Sequence, residues 1–149
     1  MWKRLLTPAW NSRSIAFIRI AVGLIFFTQG ILKFIDPRLG VVRFARIGFP
    51  MPEFTAHFVG AFEIICGIMV LVGLLTRLAS IPLLIVILTA ISTTKIPELF
   101  HAGQGFWFMV SDARTDFAMT MSLIFLLIAG AGGLSLDLWL ATLPHRPNP

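Results

Sequence analysis

Apolar residues fall in four long blocks along the chain, at about residues 14–35, 54–75, 78–94 and 116–134, and the segments outside them hold most of the charges and prolines. Continuous apolarity over about 17–25 residues predicts helices able to cross a bilayer core of roughly 30 Å. The alternation of a half-buried strand is missing from all four blocks. The first block, SIAFIRIAVGLIFFTQGILKFI, is too long for the core of a signal peptide. It is followed by Asp36-Pro37 rather than a small-residue cleavage site, and so reads as a retained anchor. The second and third blocks are separated only by Thr76-Arg77 and predict a hairpin. Pro82 falls in the first turn of the third helix, where its missing N–H does least harm. Gly130, Gly132 and Gly133 predict the end of the fourth helix. The expectation is an all-α, single-domain integral membrane bundle over residues 1–149, with four transmembrane helices and both termini on one side.

The intervening segments read as interfacial. Residues 1–13 combine Lys3, Arg4 and Arg13 with Trp2 and Trp10, a mixture suited to the headgroup layer. In residues 36–53, Arg38, Arg43 and Arg46 alternate with Val, Phe and Ile, which predicts a short amphipathic surface helix near residues 38–47. Residues 95–115 form the longest expected excursion, and its aromatic run Phe106-Trp107-Phe108 predicts insertion at the interface.

Composition agrees with that class. The chain is 57% hydrophobic and 13% charged, with a mean hydropathy of +0.89; soluble domains carry about 25% charged residues. Twelve Lys and Arg against seven Asp and Glu give a net charge of +5. In this setting the basic excess belongs to headgroups and topology rather than to nucleic acid, and no interleaved basic and aromatic patch supports RNA or DNA binding. Five basic residues fall on each side of the expected bundle, so the positive-inside count is tied. The acid-poor side that holds the termini is assigned to the cytoplasm. Cys66 is the single cysteine and reads as a small buried hydrophobe; an internal dithiol is excluded.

Candidate chemistry lies in the few charges that the apolar blocks retain. At ~100° per residue, Arg19, Gly23, Phe26, Gly30 and Lys33 share a stripe about 80° wide, which places two cations and two close-approach glycines on one helix face. Glu63 sits near the centre of the second block. A full charge facing lipid there costs about 2.5–3.5 kcal/mol on insertion scales, so these groups are expected to face protein, water or each other. Asp116 opens the fourth block on the same side as Lys33; helix capping is the competing use for it. The predicted constellation is Arg19, Lys33, Glu63 and Asp116 between the first, second and fourth spans, electrically neutral as a dry interior requires. Gln29 and His57 are further polar candidates on the first two spans, and His101 and Trp107 are candidates for a pocket mouth. No metal site is expected: His101 has no partner at ligand spacing.

These positions together resemble the DoxX family of small prokaryotic membrane proteins. The matching pieces are Arg19, Gly23, Gly30 and Lys33; Gly48 and Pro50; Gly60, Glu63 and Gly67; Gly73, Leu74 and Arg77; and Gly130-Ala131-Gly132-Gly133 with Ser135-Leu136-Asp137. The resemblance spans about residues 15–137. It implies a four-helix bundle in the cytoplasmic membrane, in a family commonly labelled oxidoreductase, with relatives linked to quinone-dependent sulfur oxidation or to thiol and superoxide defence complexes. By position, Arg19, Lys33 and Glu63 match the family's polar sites, and Asp116 stands where a glutamate is more usual.

The functional expectation is an auxiliary subunit of a quinone-linked or thiol-related membrane oxidoreductase system. It would bind a quinone or another amphiphile in a polar intramembrane cleft, with Glu63, Arg19 and Lys33 as catalytic candidates. The chain offers no haem, flavin, iron–sulfur or dithiol site, so electrons would come from a redox partner protein. The competing expectation is a non-enzymatic assembly factor, or a lipid-binding or transport module, whose buried charges are structural. Homo-oligomerisation is open.

Overall fold

The computed structural model describes residues 12–97 and 105–142, and within them every regular element is helical. The order is α1 (Ile15–Ile35), α2 (Val41–Ile47), α3 (Pro52–Val72), α4 (Thr76–Ala90), α5 (Gly105–Ala129) and α6 (Leu136–Thr142). A π-helical turn, Ile91–Lys95, prolongs α4. Helices α1, α3 and α4 with its π turn are long and apolar enough to cross a membrane. Helix α5 has the length, but its first half mixes Asp112, Arg114 and Asp116 with aromatic residues, so apolarity alone does not mark it as a span.

Four long helices close a ring in which α1 packs on α3, α3 on α4, α4 on α5 and α5 on α1. Val22 of α1, Val70 of α3, Leu83 of α4 and Leu123 and Leu126 of α5 form one buried core, with Cys66 at its edge. Much of the remaining apolar surface faces outward: Phe17 is 78% exposed and Ile65 58%, as expected of residues whose solvent is lipid rather than water.

The α1–α3 contact is the tightest and rests on glycine. A Cβ placed on Gly23 would lie 2.8 Å from the Gly67 carbonyl oxygen, and one on Gly30 would lie 2.7 Å from that of Gly60. Between helices in lipid there is no water to expel, so close backbone packing of this kind supplies much of the association.

Two boundaries differ from expectation. Thr76 and Arg77 begin α4 instead of forming the turn, which lies at Gly73–Leu75 with left-handed backbone at Gly73 (φ 73°) and Leu75 (φ 47°). The expected excursion at residues 95–115 is helical from Gly105 onward, where the segment joins the apolar block as one helix, packs on α4 and pairs Asp112 with Lys95. The basic amphipathic segment does form a helix, α2, as expected.

Candidate functional site

The charges of the bundle gather at its two ends. At the end formed by the C-terminus of α1, α2 and the N-terminus of α3, the Lys33 ammonium donates to the Glu63 carboxylate at 2.5 Å, and the two side chains are only 12% and 4% exposed. Their meeting follows from the helix contact. Helices α1 and α3 run antiparallel, with Gly23 facing Gly67 and Gly30 facing Gly60, so Lys33 and Glu63 flank the Gly30–Gly60 contact on opposite sides and the lysine side chain, passing Gly60, spans it to reach the carboxylate. Across the ring, Lys95 on the π turn pairs with Asp112 of α5.

Between these two pairs a cavity of about 490 Å³ opens among all four long helices and α2. Its body is apolar, walled by residues such as Phe26, Phe58, Phe62, Ile85 and Met119. Its polar end carries Gln29, Lys33, Glu63 and Asp116, together with Arg43 from α2. Thr89, Thr93 and Thr94 also line it. Their hydroxyls donate back to the carbonyls of Ile85, Thr89 and Ala90, and each oxygen keeps its capacity to accept a hydrogen bond.

Arg19 is not part of this group. It is buried at the opposite end, where its guanidinium donates to the carbonyl oxygens of Leu71 at 3.3 Å, of Ala131 at 2.5 Å and of Leu134. The expected meeting of Arg19 with Glu63 is corrected here. The guanidinium reaches toward its own end of the bundle because the last turn of α3 and the glycine-rich exit from α5 present unpaired carbonyls there. Asp137 of α6 completes this clasp. Its carboxylate accepts the backbone N–H groups of Leu75 at 2.6 Å and Thr76 at 3.2 Å, and its own N–H donates to Gly73 O at 2.9 Å. Burial pushes the Asp137 carboxyl above the usual carboxylate range, against the opposing pull of those two amides and of the Arg19 charge. A side chain on Gly73 would strike the guanidinium, with a Cβ 2.5 Å from Arg19 Nη1.

The sequence reading passed over two residues, Arg43 and Asp137. Asp137 had a signal: it is the lone acid on the side holding the termini, opposite an arginine that needed a counter-charge. In the sequence Arg43 is one of three arginines on a surface helix, and only the return of α2 over the cavity distinguishes it. Among the other candidates, His57 stacks on Phe34 with ring centroids 5.0 Å apart and lies outside the cavity lining. Trp107 is 79% exposed on the first turn of α5 and also lies outside it. His101 falls outside the described residues. No group of three His, Cys, Asp or Glu side chains gathers at metal-binding distance among the described residues.

The arrangement provides a largely apolar chamber flanked by two ion pairs, with hydroxyl oxygens, a further arginine and a further acid in its lining. Such a chamber can hold the chain or ring of an amphiphile while offering both donors and acceptors to its head.

Comparison with known proteins agrees with the arrangement of the motifs. The DoxX family model matches residues 14–96. The chain is 49% identical over 141 residues to "Uncharacterized membrane protein Rv3486" of Mycobacterium tuberculosis (strain ATCC 25618 / H37Rv), an alignment covering 91% of this chain and 86% of that protein. It is 30% identical over 120 residues to "Putative oxidoreductase CatD" of Bacillus subtilis (strain 168), covering 80% of this chain and 81% of the relative. No solved structure matches. With its glycine-packed helix pair, its Lys33–Glu63 contact and a family match over more than half its length, the chain belongs to the DoxX family of membrane proteins.

Proposed function

We propose that this protein is a four-span subunit of a membrane redox system whose cavity holds a quinone or a similar amphiphile, with the polar head beside Lys33 and Glu63. The observation that carries this reading is the chamber itself: about 490 Å³, apolar along its body, with an ion pair at one end. A quinone has carbonyl oxygens that accept hydrogen bonds, and it takes up two protons with two electrons on reduction. Lys33 and Gln29 are donors for those oxygens, and Glu63 and Asp116 are carboxyl groups able to pass protons. The electrons come from a partner protein. The oxidoreductase name of the Bacillus relative supports a redox setting. In this reading α5 is the fourth span, since Leu123, Leu126 and Ala129 complete the shared core. Both termini then lie on one side, assigned to the cytoplasmic face of a prokaryotic inner membrane. Arg19 serves as a structural clasp instead of a catalytic group.

The test is solvent extraction of protein purified in mild detergent, with mass spectrometry of the extract. Quinone or another amphiphile close to one per chain is expected, and it should be lost in Ala90→Trp, which fills the chamber from α4. An empty extract from a stable preparation contradicts the reading.

A further inference from the structure

We infer that the cavity selects an amphiphile with an uncharged head over one with an ionised head, and that Arg43 and Asp116 set this preference as an opposed pair of specificity residues. The inference rests on the amphiphile-binding reading above and narrows its ligand class.

Three cations (Lys33, Arg43 and Lys95) and three acids (Glu63, Asp112 and Asp116) line the cavity among the described residues. Four of the six are matched within the protein, Lys33 with Glu63 and Lys95 with Asp112. Arg43 and Asp116 remain without a direct ion pair among the described residues. Arg43, on α2, lines the same chamber as the Glu63 and Asp116 carboxylates. The lining is neutral as a whole but polarised: it presents one uncommitted donor group and one uncommitted acceptor.

A ligand that enters this space brings its charge into a chamber with little water. An anionic head would gain Arg43 but meet Asp116 and Glu63; a cationic head would gain Asp116 but meet Arg43 and Lys33. Either leaves a surplus charge in a poorly solvated place. A neutral head avoids this: the carbonyl oxygen of a quinone accepts from Arg43 without adding charge, and its quinol form also donates a hydroxyl hydrogen to Asp116. No net charge is added. The fixed charges in this way discriminate through the repulsive member as much as the attractive one.

The experiment measures binding of three radiolabelled decyl probes, a benzoquinone, a phosphate and a trimethylammonium, to the full chain in lipid nanodiscs, with empty discs subtracting partition into lipid. The wild type should hold the benzoquinone at least roughly tenfold more tightly than either charged probe. Asp116→Asn, which leaves the lining with one surplus positive charge, should gain the phosphate probe. Arg43→Gln should gain the trimethylammonium probe, and the double substitution should return the preference to the benzoquinone. A wild type that prefers a charged probe, or single variants with the wild-type order of affinities, overturns the inference while leaving the chamber a binding site. If no probe binds the wild type above empty discs, the amphiphile-binding reading fails and this inference fails with it.

Discussion

Glu63 and Lys33 set the energetics at the scale of single residues. Each is nearly removed from solvent, and each is tolerable there because the other neutralises it at 2.5 Å. Removing one partner leaves the other charge buried alone, an effect of about 3–5 kcal/mol, whereas replacing both by groups of similar volume is often nearly neutral. Glu63→Gln should therefore lower the thermal unfolding temperature in detergent sharply, and Lys33→Met added to it should recover most of the loss. A Glu63→Gln protein as stable as the wild type would mean that the ammonium finds water or another acid. The Lys33–Glu63 contact could be anticipated from the sequence because a carboxylate near the centre of one span and a lysine near the end of its neighbour each need a counter-charge within an apolar block, and the long lysine side chain can bridge the difference in depth. Arg19 was placed in the wrong group. It stands about one turn into α1, near one end of the bundle, and the carbonyls that hold it there belong to backbone, which leaves no mark in a pattern of side chains.

At the scale of elements, the helix pair α1–α3 carries the register of the site. Gly30 and Gly60 are in near contact, and the Gly30 position also faces Ile64, whose backbone nitrogen would lie 2.9 Å from an added Cβ. The opposing atoms include backbone that cannot swing aside, so even one methyl must push the helices apart. Gly30→Ala is expected to cost about 1–3 kcal/mol and to loosen the Lys33–Glu63 contact, read as a lower unfolding temperature and as faster hydrogen exchange at the C-terminal end of α1. A fully tolerated alanine would show that the helices are not held this closely. Helices α1 and α3 and the short basic helix α2 were legible, because apolar length and glycine spacing are properties of contiguous sequence. The start of α5 was not: Phe106, Trp107 and Phe108 read equally well as a loop dipping into the interface, and helix continuity across residues 105–116 is decided by packing on α4 and by the Lys95–Asp112 pair.

Across the whole molecule, two polar clusters at opposite ends of an apolar ring divide the work. The Arg19–Asp137 end ties α1, the α3–α4 turn and α6 together through backbone groups and leaves no room for a ligand, since Gly73 already lies against the guanidinium. The Lys33–Glu63 end stays open as the cavity. Membership of the all-helical membrane class was legible from composition and block length alone. The cavity was not, because it exists only where four separate helices and α2 diverge around the same volume. The proposed four-span arrangement predicts that single cysteines introduced near the two termini, in a Cys66→Ala background, react with a membrane-impermeant maleimide from the same face of sealed vesicles. Reaction from opposite faces would remove α5 from the set of spans.

The central claim is that an amphiphile sits inside the ring, not on its outer wall, and photolabelling tests it most directly. A decylbenzoquinone bearing a diazirine, irradiated with the protein in nanodiscs and mapped by peptide mass spectrometry, should mark the buried cavity residues Phe26, Ile87 and Met119, and excess unlabelled benzoquinone should suppress the marking. Labelling spread over the outward-facing residues Phe17, Ile20, Ile65 and Ile68, and unchanged by competitor, would contradict the account.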